Sequence, residues 1–375
     1  MFSKRAHWSS PVNRLTLERR RRGNLLDLTE TNPTRTGLAY PVEDLAVALA
    51  LGASAPYDPD PRGLRSAREA LATRVILSRE DGEGPPATAD DFILTASTSE
   101  AYSFLFKLLT DPGDAILTAT PAYPLLEHLA DLEQVAIQFF PLEFHRRWEI
   151  HGVPVTDRTK AIVVVNPNNP TGSFVSAEEQ DRLAKLGLPI ISDEVFLDYP
   201  LEGAGTSFVR DDVLTFTLGG LSKSAGLPHF KLGWIRVSGP GKEEALEGLE
   251  RIADNFLSVA TPVQKALPEL LRLGTQVRDA IRKRTKTNLH TLRDTFASVP
   301  SAHVLPVEGG WSAVIRVPRV TTDEELAIAL LDEGVIVQPG YFFDFESDGY
   351  LVVSLLTREE VFEDGVRRIC NLIPA

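Results

Sequence analysis

AIVVVNPNNPTGSFVSAEEQDRLAKLGLPIIS, residues 161–192, reads as one strand, helix, strand unit. Residues 161–165 form an unbroken apolar run rich in valine, the pattern of a strand buried on both faces. Residues 166–172 make a turn stiffened by two X-Pro bonds. Ser176 and Glu179 then form a capping box that opens a helix, and residues 189–192 return as a second strand. A crossover helix between two buried strands implies a parallel sheet covered on both faces.

The same alternation continues outward. Residues 91–96, 115–119 and 135–142 read as strands with helices at 99–109 and 122–132 between them, and 213–218 reads as a strand beyond the central unit. Ligands of such a sheet bind past the carboxyl ends of its strands. Upstream lie a helical pattern at 12–22 and the turn-rich stretches 29–37 and 57–63. Downstream, 243–295 is helix-rich without a strand signal. Short strands follow at 303–307, 313–317, 335–337 and 351–355, with helices after Thr322 and Thr357, each opening on a Thr-x-x-Glu box. The expected organisation is an N-terminal segment, 1–45, packing with a small domain; a large α/β domain, 46–270; and a smaller C-terminal α/β domain, 271–375.

At 375 residues and 43% hydrophobic content the chain can bury a large core. A net charge of -13 argues against nucleic acid or an anionic membrane as partner, and leaves small ligands open. The single Cys370 excludes an internal disulfide and suits a reducing compartment. Residues 1–13 carry Lys4 and Arg5 with no apolar core after them, and no run is long enough to span a bilayer, so a cytoplasmic protein is expected. The histidines are scattered with no His-x-x-x-His pair, and neither Gly-x-Gly-x-x-Gly nor a phosphate loop occurs, so neither a metal nor a nucleotide site is expected.

Five strand ends carry polar groups. LGGLSKSAGLPHFKLGW, residues 218–234, holds Lys223 among small residues that would let a flat ligand approach the backbone; a desolvated lysine there is a nucleophile able to form a Schiff base, and a solvated one is merely a loop residue. Ser97, Thr98 and Ser99 join a strand to a helix, either as a phosphate cradle or as an N-cap box closed by Glu100. Tyr123 follows another strand, as a stacking ring or a rim residue. Asn169 in NPNNPTG is held where its amide can donate to a phenolate oxygen. Asp193 in SDEVF would face a ring nitrogen or cap a helix.

NPNNPTG, SDEVF and SKSAGLPHFKLGW, occurring in that order, resemble the fold type I, class I/II aminotransferases that use pyridoxal 5'-phosphate. The resemblance covers most of the chain and implies a large domain with a mainly parallel seven-stranded sheet plus a smaller α/β domain. It implies that Lys223 carries the cofactor and moves the substrate proton, Asp193 pairs with the pyridine nitrogen, Asn169 binds the 3' oxygen and Tyr123 stacks on the ring. Ser97, Thr98, Ser99 and Ser222 would hold the phosphate. Tyr57 resembles the tyrosine that reaches the partner subunit's phosphate, which implies a homodimer. The chemistry implied is ping-pong transfer of an amino group from an amino donor to a 2-oxo acid.

Three positions depart from the family pattern. Phe196 replaces a tyrosine at the 3' oxygen, Lys231 replaces a phosphate-binding arginine, and Val352 stands where an arginine normally clamps the substrate carboxylate. Asn32 and Arg35 in TETNPTRTG are candidate substrate-binding residues, Arg35 as the replacement for that clamp or else as an exposed loop residue. Trp311, Tyr341 and Phe342 would suit an apolar substrate side chain, or lie in the core. The missing clamp keeps elimination, decarboxylation or racemisation open as alternatives, and a non-catalytic sensor module is a further one.

Overall fold

The computed structural model describes residues 3, 5, 12–77 and 87–373; the leader reading on 1–13 lies mostly outside them. The chain enters through α1 (Arg14–Arg20), where the Asn13 side chain accepts from the Thr16 N–H at 2.7 Å. It then forms β1 (Leu26–Asp27), α2 (Val42–Ala50) and α3 (Arg65–Leu77). The large sheet and its crossovers follow in order: β2 (Phe92–Thr95), α4 (Thr98–Leu109), β3 (Ala115–Thr120), α5 (Leu125–Glu133), β4 (Ala136–Phe144), β5 (Trp148–Ile150), β6 (Thr159–Val165) and α6 (Ala177–Ala184). The sheet is completed by β7 (Ile190–Asp193), β8 (Thr215–Gly220), the single turn α7 (Leu221–Ser224) and β9 (Gly233–Ser238).

Its strand order is β2-β9-β8-β7-β6-β3-β4-β5, with β9 and β5 running against their neighbours. Register pairs Val165 with Asp193 and Asp193 with Leu218, so three adjacent strands end at one level. Alternate residues serve opposite faces: Ile162, Val164 and Ile190 pack into one core, Ala161, Val163 and Ile191 into another. Both faces are covered by apolar side chains, which is why the strands read as continuous apolar runs.

After α8 (Lys242–Asp254), α9 (Thr261–Phe296) runs for 36 residues, about 54 Å at helical rise. A second, antiparallel sheet is built from β10 (His303–Val304), β11 (Ser312–Arg316), β13 (Gln338–Pro339) and β14 (Tyr350–Ser354), in the order β10-β11-β14-β13. Between β11 and β13 the chain forms α10 (Asp323–Asp332) and β12 (Val335–Ile336), which pairs in parallel with β1. The chain closes with α11 (Glu359–Leu372). Leu15 and Leu28 from the N-terminal segment share a core with Val335, Phe362, Val366 and Ile369.

The sheet has eight strands among the described residues, one more than expected. The addition is β5, a three-residue hairpin arm too short to produce a periodic signal. The reading of 122–132 as helix is corrected at its start: α5 begins at Leu125, because Pro124 disfavours helical backbone at Tyr123. The Ser176 box forms with both arms. Thr322 caps α10 by accepting from the Glu325 N–H, whereas the Thr357 box does not form; Arg358 is the cap residue and the Thr357 hydroxyl donates to the Asp27 carbonyl at 3.2 Å. β9, bracketed by Gly233 and interrupted by Arg236, carried no legible strand pattern.

Candidate active site

Past the carboxyl ends of the parallel strands lies a cavity of about 420 Å³. It is lined by Ser97, Thr98, Ser99, Tyr123, Asn169, Asp193, Phe196, Ser222, Lys223, Lys231 and Trp311, so residues from six separate stretches of sequence converge there.

Lys223 sits in α7 directly after β8. Its remaining exposure is to the cavity, and its Nζ lies 4.9 Å from the Trp311 ring centroid and 5.6 Å from that of Phe196. Desolvation by these walls pulls the ammonium down to about 8, against a smaller opposing pull from Asp193. The Tyr199 hydroxyl donates to the Lys223 carbonyl and pins the turn. The neighbouring glycines serve the protein as well as the cavity. A Cβ at Gly219 would meet the Trp234 indole at 2.5 Å, and Gly226 has φ +64°. At Gly219, then, small size accommodates an indole, not a ligand.

Asp193, at the end of β7, is 8% exposed. Burial pushes its carboxyl up to about 6, while the Val195 N–H (3.2 Å), the Tyr102 hydroxyl (3.0 Å) and Lys223 favour the anion. Tyr102, from α4, was not singled out in the sequence. Its position on a buried helix face signalled core, and a buried phenol requires a partner that sequence alone does not identify. Burial first, and Asp193 second, keep that phenol protonated far beyond its usual range.

Ser97 is the N-cap of α4, its hydroxyl oxygen accepting from the Glu100 N–H at 3.2 Å. Glu100 does not close the box; its carboxylate accepts from the Ala96 N–H at 2.6 Å. The first backbone N–H groups of α4 open at the cavity beside Lys231, which holds a left-handed turn at φ 49°. Asn169 lines the cavity across from Ser312, whose hydroxyl donates to its Oδ1 at 3.3 Å. Ser312, Gln338, Phe343, Glu127 and Asp344 also line it, as does Thr31 of the N-terminal loop; none carried a signal of its own in the sequence, because most come from the second sheet and its loops.

Five candidates, Asn32, Arg35, Tyr57, Tyr341 and Phe342, are not brought to the cavity of this chain. Arg35 is exposed at the end of a single 3-10 turn, Pro33–Arg35, and the Asn32 side chain caps that turn by accepting from the Thr34 N–H at 3.1 Å. Tyr57 is 75% exposed beside a shallow surface hollow with Leu257 and Ser258. Of the aromatic candidates, Trp311 lines the cavity, Tyr341 instead donates to Glu324 at 3.2 Å, and Phe342 packs in the core; Phe343 takes the lining position. Val352 is fully buried among Leu305, Val314 and Phe343. The cavity's cations among the described residues are Lys223 and Lys231, and its carboxylates are Glu127, Asp193 and Asp344.

Two strand-end loops close the cavity against the second sheet: the Ala122 N–H donates to the Phe343 carbonyl at 3.0 Å, and the Thr120 hydroxyl to the Asp344 carbonyl at 2.9 Å.

Comparison with known proteins agrees with this geometry. The family described as aminotransferase class I and II matches residues 26–369. The glutamate-pyruvate aminotransferase of Haemophilus influenzae is 26% identical over 97% of this chain and 94% of its own, and the alanine aminotransferase of Mycobacterium tuberculosis is 28% identical over 93% and 85%. The solved alanine aminotransferase from Pyrococcus furiosus superposes with a TM-score of 0.87 at 25% identity, covering 99% of both chains. These relatives are transaminases, so elimination, decarboxylation and racemisation are not favoured. The chain belongs to the class I and II aminotransferases, and is a pyridoxal-phosphate-dependent enzyme that moves an amino group from an amino donor to a keto acid.

Proposed function

We propose that Lys223 is the residue that binds the cofactor covalently and carries the substrate proton, with Asp193 as its electrostatic counterpart. The observation that carries this reading is the pair itself: an amine drawn down to about 8 and a carboxyl pushed up to about 6, buried on adjacent strand ends of one cavity. The donor set fits pyridoxal phosphate: an amine held partly neutral, a carboxylate for a ring nitrogen, and helix-start N–H groups with an ammonium for a phosphate. When bound, the cofactor supplies an aldehyde and an electron-withdrawing ring.

In this reading the N–H groups of Thr98 and Ser99, with Ser97, Ser222 and Lys231, hold the phosphate. Tyr123 would stack on the ring, Asn169 would donate to its 3' oxygen, and Phe196 would contribute only an apolar wall. Lys223 Nζ would take the proton from the substrate α-carbon and hold it for return, its walls of Trp311 and Phe196 excluding water.

The amino donor is proposed to be a neutral, monocarboxylic amino acid. Of the two cavity ammoniums, Lys223 is occupied with the reacting centre and Lys231 with the phosphate, so the substrate carboxylate meets neutral donors, Asn169, Gln338 and Ser312, in place of a guanidinium. Glu127 is raised by partial burial and by the nearby Asp344, and Asp344 by partial burial; together they oppose a second substrate carboxylate. Catalytic efficiencies measured over a donor panel are expected to favour alanine and apolar or aromatic amino acids over aspartate and glutamate by at least about tenfold. A preference for either dicarboxylate would overturn this assignment.

A homodimer with shared sites is proposed as well, supported by the exposure of Tyr57 and of the apolar Val47 and Leu51 nearby in sequence. Mixing Tyr57→Ala and Lys223→Ala subunits should then restore about a quarter of wild-type activity, since half of a random mixture is mixed dimer with one intact site each. Mixtures as inactive as their parents would count against it. Division of the chain at 45 and 270 remains our proposal; Leu15 and Leu28 support the N-terminal assignment, and α9 passes unbroken through the second boundary. A cytoplasmic location is proposed from the cysteine usage; no helix among the described residues is long and apolar enough to cross a membrane.

A further inference from the structure

Away from the cavity, the β4–β5 hairpin presents four ligand-type side chains on one face. Register pairs Glu143 with Glu149, and His145 stands in the bend just past the end of β4, His151 just past the end of β5. Glu143, His145 and His151 cluster, Glu149 stands beside His151, and the neighbouring Phe144 and Trp148 alternate to the other face. The opposite face is anchored: the Trp148 ring lies 5.8 Å from Phe345 and 6.5 Å from Tyr350, both of which belong to the second unit.

We propose that Glu143, His145 and His151, with Glu149 as fourth donor, form a binding site for a borderline divalent cation such as Zn²⁺. The ligand atoms of the first three lie within 4.8 Å of one another. His145 Nε2 is 3.5 Å from Glu143 Oε2, and His151 Nε2 is 3.4 Å from Glu149 Oε2. Those separations are long for hydrogen bonds and match the donor-to-donor edge of about 3.3–3.6 Å that a tetrahedral site with bonds of about 2.0–2.2 Å requires. The two imidazole rings meet edge to face at 5.4 Å, with their nitrogens toward the acidic pair.

His151 Nε2 is shielded from solvent and makes no hydrogen bond, and coordination to a cation would satisfy it. The backbone beneath is fixed by the ladder and by the His145 N–H donating to the Arg147 carbonyl, so drawing the donors together needs only rotation of the side chains. Arg147 lies beside the group, 3.4 Å from the other oxygen of Glu149, and donates at 2.8 Å to Glu179. A set of two imidazoles and two carboxylates selects Zn²⁺, Ni²⁺ or Cu²⁺ over Mg²⁺ or Ca²⁺. Four protein donors leave no open position, so the site is structural: it ties the edge strand β5 to β4 and stiffens the wall on which the second unit rests.

The test is calorimetric titration of tag-free holoenzyme with ZnCl₂, beside the His145→Ala/His151→Ala double variant. The wild type is expected to take up one Zn²⁺ per chain with micromolar or tighter affinity, the variant to bind at least tenfold more weakly, and transaminase activity of the variant to be unchanged. Co²⁺ in place of Zn²⁺ should give the visible absorption of a tetrahedral ion in the wild type alone. Absence of micromolar Zn²⁺ uptake, or uptake by the variant within tenfold of the wild type, overturns the proposal and shows the four side chains to be ordinary ion pairs. Neither outcome bears on the Lys223 reading.

Discussion

Lys223→Ala is expected to lower the transamination rate by about 10³-fold or more, because covalent attachment and proton transfer are lost together. Borohydride treatment followed by mass spectrometry should add the cofactor's mass to the wild-type chain at residue 223 and leave the variant unmodified. The variant should still bind the cofactor through the α4 start, Lys231 and Asp193, so fold and binding are separable from turnover. A second signature is pH. With the amine at about 8, its neutral fraction, and with it the rate at which cofactor-free chain takes up the aldehyde, should rise as pH increases through about 8. The burial that lowers this pKa also costs stability. Between about 8 and the ordinary lysine value of 10.5, the unfolded chain holds a proton that the folded chain has lost, so cofactor-free stability rises with pH across that window. Below it the full penalty is present, on the order of 3 kcal/mol. Cofactor-free Lys223→Ala should therefore melt higher than wild type at pH 7, an outcome that a merely structural lysine would not give.

Asp193→Asn is expected to cost about 10²- to 10³-fold in kcat, since it removes the buried negative charge facing Lys223 and leaves a neutral amide in its place. Tyr102→Phe isolates the support for that charge. The phenol donates to Asp193 and favours its ionised form, so its loss should move the acid limb of kcat/KM up from about 6 toward neutrality. Turnover at pH 8 should change far less than at pH 6. An acid limb unmoved by Tyr102→Phe would remove Asp193 as the group that titrates there. Stability has the matching sign: between the ordinary carboxyl value near 4 and about 6 the folded chain binds the additional proton, so cofactor-free stability falls as pH rises through about 6.

The parallel sheet and the strand-end residues were legible because each signal is local. A valine run followed by NPNNPTG, or β7 ending in Asp193, carries its meaning within about ten residues, and the register β6-β7-β8 then aligns these separate signals at one level. Tyr102 and Asp193 are 91 positions apart, and only the packing of α4 on the sheet joins them. The same holds for Ser312, Gln338 and Phe343, which reach the cavity from the second sheet. Arg35 shows the converse: its loop does reach the cavity, through Thr31, yet the 3-10 turn Pro33–Arg35 leaves the Arg35 side chain exposed and away from the lining. The seven-strand expectation missed β5 because three residues are too few for periodicity, and the hairpin register that gathers Glu143, His145, Glu149 and His151 is likewise invisible in spacing along the chain.

Helix α9 links the two units mechanically. Near its middle, Gly274 is packed so closely on Ala225 that a Cβ there would meet the Ala225 side chain at 2.5 Å, and Val277 and Ile281 crowd Gly226, the residues immediately beyond the Lys223 turn. Fourteen positions after Gly274, the Asn288 amide grips the Leu355 and Thr357 carbonyls at 2.8 and 2.7 Å, where β14 ends. One helix therefore packs on the residues just after Lys223 at one point and holds the end of β14 at another. The second sheet and the floor beneath the reactive amine thus share one support, and a change of packing at Gly274 or Asn288 touches both.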